Sequence, residues 1–216
     1  MSNEELVKHV TDELVWDPKV DSTSIAVSAD NGTVTLRGTV GSFREKREAK
    51  KATERVYGTI EVRNDLKVEL MVGDARNDAD MRGDVLKALM LDTLVPDTVD
   101  AGVYEGLVTL TGTAEWQFQR DEAELVAGNI LGVVEVDDQI ELTGPPPQAG
   151  EVKSAIESAL ARSAKLDSEA LTVETSNGTV TVKGKVKSWA EHDEAIDAAW
   201  AAPGVRDVHD RILILY

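Results

Sequence analysis

Histidine next to carboxylates is the arrangement in this chain that comes nearest to a catalytic pattern. His192 is followed directly by Asp193 and Glu194, and a histidine beside carboxylates can act as a general base. The same residues also fit the solvated face of a helix. We favour that interpretation because the two related segments of the chain lack the histidine. His209 falls at an outward position of a predicted strand, where solvation is again the simpler interpretation, and we assign no catalytic residue.

A run of aspartates, Asp74, Asp78, Asp80 and Asp84, raises the question of calcium binding. An EF-hand loop needs alternating oxygen ligands and a glycine at a set position, and this run has neither. Asp80 instead suits a helix N-terminus, where the helix dipole favours negative charge. The chain also has no cysteine, which excludes thiolate metal sites, disulfides and cysteine nucleophiles. We expect no metal site, no cofactor and no enzymatic activity.

Basic residues concentrate on one predicted helix near the N-terminus. Three interpretations of its charged surface remain open. It is a solvated face with internal ion pairs such as Glu48 to Lys51, it docks against an acidic part of the same or another chain, or it captures anionic headgroups or nucleic acid. The candidate interaction residues recur at helical spacing: Arg44, Arg47, Lys51 and Arg55.

Charge is unevenly distributed along the chain. Lys and Arg number 23 against 40 Asp and Glu, a net charge of −17, and residues 74–147 alone hold 4 basic and 16 acidic residues. Such a chain as a whole repels nucleic acid and anionic lipid, so we do not expect nucleic acid as a partner. The chain begins without an apolar leader, and no run approaches the length of a membrane-spanning helix. As written it is expected to be cytoplasmic, or periplasmic if a leader was removed.

The chain contains three copies of one sequence unit, which we call repeats 1, 2 and 3. Residues 31–40, 105–114 and 177–186 align without gaps, at offsets of 74 and 72 residues. The match continues downstream in register. A period of this length is longer than that of most solenoid repeats, so each repeat is expected to be a small domain with its own core. The residues that recur include Ala49, Ala123 and Ala195, and Gly58, Gly132 and Gly204.

Hydrophobic periodicity predicts the same elements in each repeat, in the order α-β-β-α-β. A first amphipathic helix carries apolar residues at helical spacing, including Met90 in repeat 2. A tight hairpin follows, marked by Asn31-Gly32 and Asn177-Gly178. The fold class is therefore α+β, with a three-stranded sheet covered by two helices on one face in each repeat. The predicted helices span residues 3–15, 42–57, 79–91, 116–131, 150–163 and 188–202.

Two sets of glycines are expected to have structural roles. Gly38 and its equivalents fall within the second strand, where a missing side chain suits close approach of a helix to the sheet. Gly58 and its equivalents come where the second helix is predicted to end, which suits a left-handed C-cap.

Domain boundaries follow from the repeats. We predict domains over residues 1–73, 74–144 and 151–216, with a proline-rich linker over 145–150. A triple proline favours extended polyproline II and acts as a stiff spacer. Because repeats of about seventy residues have marginal cores, we also expect docking between repeats within the chain.

The C-terminal strand departs from the alternation of its equivalents. Leu213 and Leu215 fall on the side of the sheet that faces solvent, where repeat 1 has Lys67 and Glu69. An apolar patch on an outer face can mark an interface. We therefore name Leu213 and Leu215 as candidate interaction residues, and repeat 3 as the site of a homo-oligomeric or inter-repeat contact. An inconsequential terminal strand is the alternative.

The repeated unit resembles the BON domain (bacterial osmotically induced and nodulation). The matching segments in repeat 1 are residues 34–40 and 56–66, and the same segments recur in the other two repeats. The resemblance implies a non-catalytic module of bacterial envelope and osmotic-stress proteins, with phospholipid as a ligand in some members and potassium in others. It therefore implies a stress-linked binding or scaffold protein that associates with phospholipid, a membrane or another protein. A cytosolic potassium sensor is the alternative.

Overall fold

A computed structural model describes residues 1–70, 76–144, 149–163 and 170–216. The three prolines of the predicted linker and Asp74 of the acidic run lie outside these residues. The chain divides into two compact units. The first comprises residues 1–112 and 122–139, and the second comprises residues 113–121 and 140–216.

The order of elements confirms the predicted α-β-β-α-β pattern in each repeat. The helices are α1 (Asn3–Trp16), α2 (Phe43–Glu54), α3 (Asp78–Leu91), α4 (Gln117–Gly128), α5 (Ala149–Arg162) and α6 (Trp189–Trp200). The strands are β1 (Ile25–Asp30), β2 (Thr33–Val40), β3 (Glu61–Val68), β4 (Asp100–Tyr104), β5 (Leu107–Thr111), β6 (Thr113–Ala114), β7 (Glu135–Asp138), β8 (Glu141–Leu142), β9 (Leu171–Ser176), β10 (Thr179–Val186) and β11 (Asp207–Ile214).

Each repeat builds a three-stranded sheet in which the middle strand is the second strand of the hairpin. In repeat 1, β2 pairs antiparallel with β1 and parallel with β3. Repeat 3 has the same arrangement of β9, β10 and β11. In repeat 2, β5 lies between β4 and β7, while β6 and β8 form a separate parallel pair. The shared pairing confirms the α+β fold class.

The predicted hairpin turns adopt the left-handed conformation that a two-residue turn requires. Asn31 has a φ of 48° and Gly32 a φ of 84°. The poorer turn of repeat 2 has nearly the same geometry, with Glu105 at 48° and Gly106 at 79°. A non-glycine residue in this region is strained, and the hairpin register holds Glu105 there because Tyr104 pairs directly with Leu107.

The core of each repeat lies between the two helices and one face of its sheet. In repeat 1 the buried stripe of α1 is Leu6, Val10 and Leu14, which packs on Val34 and Leu36 of β2. Repeat 2 departs from prediction, because Met90 is 78% exposed. The buried stripe of α3 consists instead of residues spaced four apart: Met81, Val85 and Leu89. This arrangement of the helix turns residue 90 towards solvent.

The second helices end earlier than predicted, so Gly58 is not their C-cap. Helix α2 ends at Glu54, and the amide of Thr59 donates a hydrogen bond to the carbonyl of Val56 at 3.1 Å. Gly58, with a φ of 95°, is therefore the third residue of a β-turn, where a positive φ favours glycine. The other repeats have the same turn, with Gly132 and Gly204 at positive φ.

The role expected for Gly38 was also wrong in its cause. A Cβ at this position would lie 1.9 Å from the carbonyl oxygen of Ser24, in the segment that leads into β1, and φ is 125°. The glycine is needed because neighbouring backbone approaches it and because its φ is unfavourable for other residues, not because a helix comes close. Gly112 and Gly184 have equivalent contacts with backbone carbonyls.

Candidate interaction surfaces

The basic helix predicted in repeat 1 is α2, and the structure separates its charged residues into two groups. Ser42 caps the helix, because its hydroxyl accepts a hydrogen bond from the amide of Glu45. Ala49 and Ala52 are fully buried against the core. The opposite side is turned away from the core and carries the cations.

Arg55 joins the two helices of repeat 1. Its guanidinium lies 2.7 Å from the carboxylate of Asp17 and 2.9 Å from that of Glu13, at the end of α1. The side chain of Asp17 is only 7% exposed and also accepts a hydrogen bond from the amide of Lys19. The hydrogen bond from Arg55 lowers the pKa of Asp17, and the amide of Lys19 lowers it further. The charge of Arg55 is thus neutralised within the repeat.

Arg47 reaches out of repeat 1 to helix α4 of repeat 2, within the first compact unit. Its guanidinium donates hydrogen bonds to the side chain of Asn129 at 3.1 Å and to the carbonyl of Glu124 at 3.5 Å. Burial lowers its pKa. The guanidinium also lies 5.5 Å from the centre of the Phe43 ring, within the range of a cation–π interaction. A Cβ at Gly128 would lie 2.7 Å from that ring, so glycine permits the close packing.

Lys46 makes a second contact between these repeats. Its ammonium lies 3.5 Å from the carboxylate of Glu135 at the start of β7. The side chain of Lys46 is 18% exposed and that of Glu135 is 56% exposed, so solvent screens the pair on the carboxylate side and its contribution is modest. These contacts join the basic helix to repeat 2 within the first unit, and docking on an acidic part of the chain as the role of this helix stays a prediction.

Arg44 and Lys51 are exposed, and neither side chain has an ion pair within the described part of the chain. Glu48, expected to pair with Lys51, instead lies 2.8 Å from the ammonium of Lys19. The hydrogen bond from Lys19 lowers the pKa of Glu48. The four predicted cations therefore do not form one surface, since Arg47 and Arg55 are used inside the first unit.

A different set of residues supplies the most exposed large apolar side chains, at the end of the first helix and in the turn after the second helix of repeats 1 and 2. We call these sets the apolar helix ends. In repeat 1 the set is Val15, Trp16 and Tyr57, with Trp16 82% exposed. In repeat 2 the equivalent set is Met90, Leu91 and Leu131. Sequence reasoning did not single them out, although Val15-Trp16 directly after Leu14, outside the apolar stripe, was a usable signal.

The apolar helix end of repeat 2 forms one side of an open groove. Leu91 and Leu131 line it together with Ala88 and Ile130. Charged side chains, among them Arg76, Asp84 and Lys87, line the rest of the groove. The two apolar segments are 39 positions apart in sequence, from Leu91 to Ile130, and the fold brings them together.

Leu213 and Leu215 of repeat 3 are exposed as the sequence predicts, at 58% and 47%. The structure adds a basic residue beside each leucine. Lys185 of β10 is in register with Leu213 of β11. The amide of Leu215 donates to the carbonyl of Val186 at 2.9 Å, which places Leu215 level with Lys187.

His192 is not on a solvated helix face. Its ring lies 2.7 Å from the carboxylate of Asp210 on β11 and 3.0 Å from that of Asp193, and its side chain is 12% exposed. The ring also meets Trp189 edge-on, with centroids 4.9 Å apart. Burial by itself lowers the pKa of His192, but hydrogen bonds to Asp193 and Asp210 outweigh it, and the pKa is raised. The arrangement ties α6 to β11.

Within residues 1–70, 76–144, 149–163 and 170–216, no group of three or more His, Asp or Glu side chains is placed to hold a metal ion. In the same ranges, no helix has both the length and the apolar character that a membrane span requires.

Comparison with known proteins places the repeats in a family. The family model of the BON domain matches residues 2–69, 77–144 and 148–216. Osmotically-inducible protein Y of Escherichia coli strain K12 is 31% identical over 145 residues, which are 65% of this chain and 72% of that protein.

Two solved structures share weak likeness with the chain. The first is from studies of CdsD, a structural protein of the type III secretion system of Chlamydia trachomatis. Its identity is 14% and its TM-score 0.28, over 98% of this chain and 92% of that one. The PrgH periplasmic domain has 11% identity and a TM-score of 0.23, over 95% and 99% of the two chains. At these scores neither likeness bears on function.

Proposed function

We propose that this chain is a non-catalytic protein of the osmotic-stress response that associates with phospholipid membranes. The premise of the proposal is that the chain belongs to the BON domain family. Similarity to an osmotically inducible protein supports the link to stress. The surface that we propose for lipid contact is the pair of apolar helix ends in repeats 1 and 2.

The exposure of Trp16 is the observation that carries this proposal. Tryptophan and tyrosine have an apolar body and a polar tip, and they are enriched where a bilayer meets water. Trp16 is 82% exposed, and Tyr57, in the turn after α2 of the same repeat, is 66% exposed. Repeat 2 has large apolar side chains at the equivalent positions, so the feature occurs twice in the first unit.

Burial of apolar surface, not attraction between charges, is the expected source of affinity. The chain carries a net charge of −17, and two of the four predicted cations of α2 are already paired within the protein. A tryptophan buries on the order of 200 Å² when it is fully covered, at about 25 cal/mol per Å². Partial insertion of Trp16 is therefore worth about 2 kcal/mol, or roughly a thirtyfold change in affinity.

Liposome sedimentation tests the proposal directly. The full chain is mixed with neutral phosphatidylcholine vesicles and with vesicles that also contain an anionic phospholipid. We expect Trp16→Ser to reduce binding to both, and a triple variant with Met90→Ser and Leu91→Ser to abolish it. Phe118→Ser is the matched control, because Phe118 is an aromatic residue that is 50% exposed on α4 and lies outside the apolar helix ends.

Two results would overturn the assignment of this surface. One is binding by Trp16→Ser that equals that of the wild-type chain. The other is binding that occurs only with anionic vesicles and disappears in about 1 M salt, where the Debye length is about 3 Å. The second result would favour headgroup capture by exposed cations such as Arg44 and Lys51.

A further inference from the structure

We propose that the chain associates with a second copy of itself, through the outer sheet face of repeat 3 on one chain and the outer sheet face of repeat 2 on the other. The first surface, which we call the cationic face, consists of Lys183, Lys185, Lys187, Arg211, Leu213 and Leu215. The second, which we call the acidic face, consists of Asp100, Tyr104, Leu107, Glu135 and Asp137. Both faces are separate from the apolar helix ends, and the proposed contact between them does not require lipid.

The cationic face is built by two neighbouring parallel strands. Lys183 is in register with Arg211, and Lys185 with Leu213. Lys183 pairs with Glu174 on β9 at 2.6 Å. The ammonium groups of Lys185 and Lys187 are exposed, and neither has an ion pair in the part of the chain that the structure describes. Two unneutralised lysines thus flank two exposed leucines.

The acidic face has the complementary composition. Tyr104 of β4 pairs with Leu107 of β5, and Leu107 is in register with Glu135 of β7. One row further along, Asp137 is in register with Thr109. The strands β4, β5 and β7 contain no Lys or Arg, but Arg82 of α3 pairs with Asp100 at 3.0 Å and Lys46 lies 3.5 Å from Glu135. Asp137 has no ion pair in the described part of the chain, and it is the carboxylate of this face that remains for a lysine of the second copy.

Charge complementarity selects the occupant of the cationic face. Two cationic faces repel one another, so a symmetric contact through repeat 3 is disfavoured. Residues 74–147, which include the acidic face, hold 16 acidic and 4 basic residues. A second chain offers this acidic face together with its own Tyr104 and Leu107 for the leucines of repeat 3. The contact joins different surfaces, so it can continue from chain to chain.

Sedimentation velocity of the full chain without lipid tests this contact. We expect the weight-average mass to rise with protein concentration in about 0.01 M salt and to return to that of the monomer in about 1 M salt, where charges are screened. Lys185→Glu with Lys187→Glu should abolish the association. Lys8→Glu with Lys67→Glu is the matched control, because it makes the same change in net charge at exposed sites of repeat 1.

A complementation experiment identifies the opposing surface. Asp137→Lys with Thr109→Lys reverses the charge of the acidic face and leaves Glu135, which lies near Lys46, unchanged. Each double variant alone should be a monomer, whereas an equimolar mixture of the two should associate. Circular dichroism of each variant checks that it is folded.

Three results would overturn the proposal. The wild-type mass stays that of a monomer at every concentration in low salt, the mixture of variants fails to associate, or the repeat 1 control dissociates the chain as strongly as the repeat 3 variant.

Discussion

Replacement of Asp17 by Asn tests whether Arg55 of the basic helix is a structural residue. The substitution keeps the size of the side chain and removes the charge that pairs with Arg55 at 2.7 Å. The amide oxygen can still accept the hydrogen bond from Lys19. We expect repeat 1 to lose stability at neutral pH, because a charged hydrogen bond between α1 and α2 is weakened.

The magnitude follows from the burial of the two partners. Hydrogen bonds to charged groups contribute about 1.5–3 kcal/mol. The side chain of Asp17 is 7% exposed, but that of Arg55 is 49% exposed and keeps its contact with Glu13. The lower part of the range applies, so Asp17→Asn should cost about 1–2 kcal/mol.

The pH dependence of the effect has a defined sign. The pKa of Asp17 is lowered in the folded protein, first by the hydrogen bond from Arg55. Its contribution is therefore fully present above the unfolded pKa of about 3.9 and is lost as pH falls through the lower, folded pKa. The stability difference between the wild-type chain and the variant should shrink over that acidic range.

Calorimetric unfolding at pH 7 and at about pH 3 measures the difference, and hydrogen exchange of peptides from residues 1–70 localises it to repeat 1. Asp65→Asn is the matched control. Asp65 lies 3.5 Å from Arg37 with both side chains more than half exposed, and its loss should cost at most about 0.5 kcal/mol. A cost for Asp17→Asn no greater than that for Asp65→Asn, or equal at pH 7 and in acid, would refute a structural role of the Asp17–Arg55 pair.

Three other outcomes are expected. Gly38→Ala would place a methyl group 1.9 Å from the carbonyl oxygen of Ser24, and it should destabilise repeat 1 by at least about 2 kcal/mol in calorimetric unfolding. Gly83→Ala meets open space in α3, and it should stabilise the chain by up to about 1 kcal/mol in the same measurement. Burial lowers the pKa of His192, but hydrogen bonds to two carboxylates outweigh burial and raise it. Repeat 3 should therefore be most stable below the unfolded pKa of about 6.5 and lose stability as pH rises through the folded pKa. In thermal melts, His192→Gln should remove this pH dependence. Matched potassium and sodium titrations should give equal melting temperatures, and a rise specific to potassium would favour the cation-sensor alternative.

Local sequence signals predicted the repeated fold in most of its detail. Alternation along β2 and helical spacing along α1 identify which side of each element is apolar. Asn31-Gly32 specifies a turn because two neighbouring residues must accept positive φ. These signals act over a few residues, so they can be recognised without the rest of the chain.

The predictions that were wrong concern residues whose role depends on parts of the chain that are distant in sequence. Gly38 is needed because of the carbonyl of Ser24, fourteen positions away in sequence, and no local pattern shows that approach. Met90 looked like a core residue because it is apolar and lies near the stripe of α3. Its exposure depends on how the helix is rotated against the sheet, which Met81 settles by occupying the core.

By itself, the sequence determined that three α+β units of one kind occur in tandem, because turns and periodic apolar residues act locally. Only the tertiary structure decided which charges are neutralised and which apolar residues stay exposed. Arg55 and Glu13 are 42 positions apart, and Arg47 and Asn129 are 82 apart. Such pairs form only where folding packs distant elements against each other. The cations of α2 look like one surface in the sequence, but in the fold Arg47 and Arg55 make contacts inside the protein.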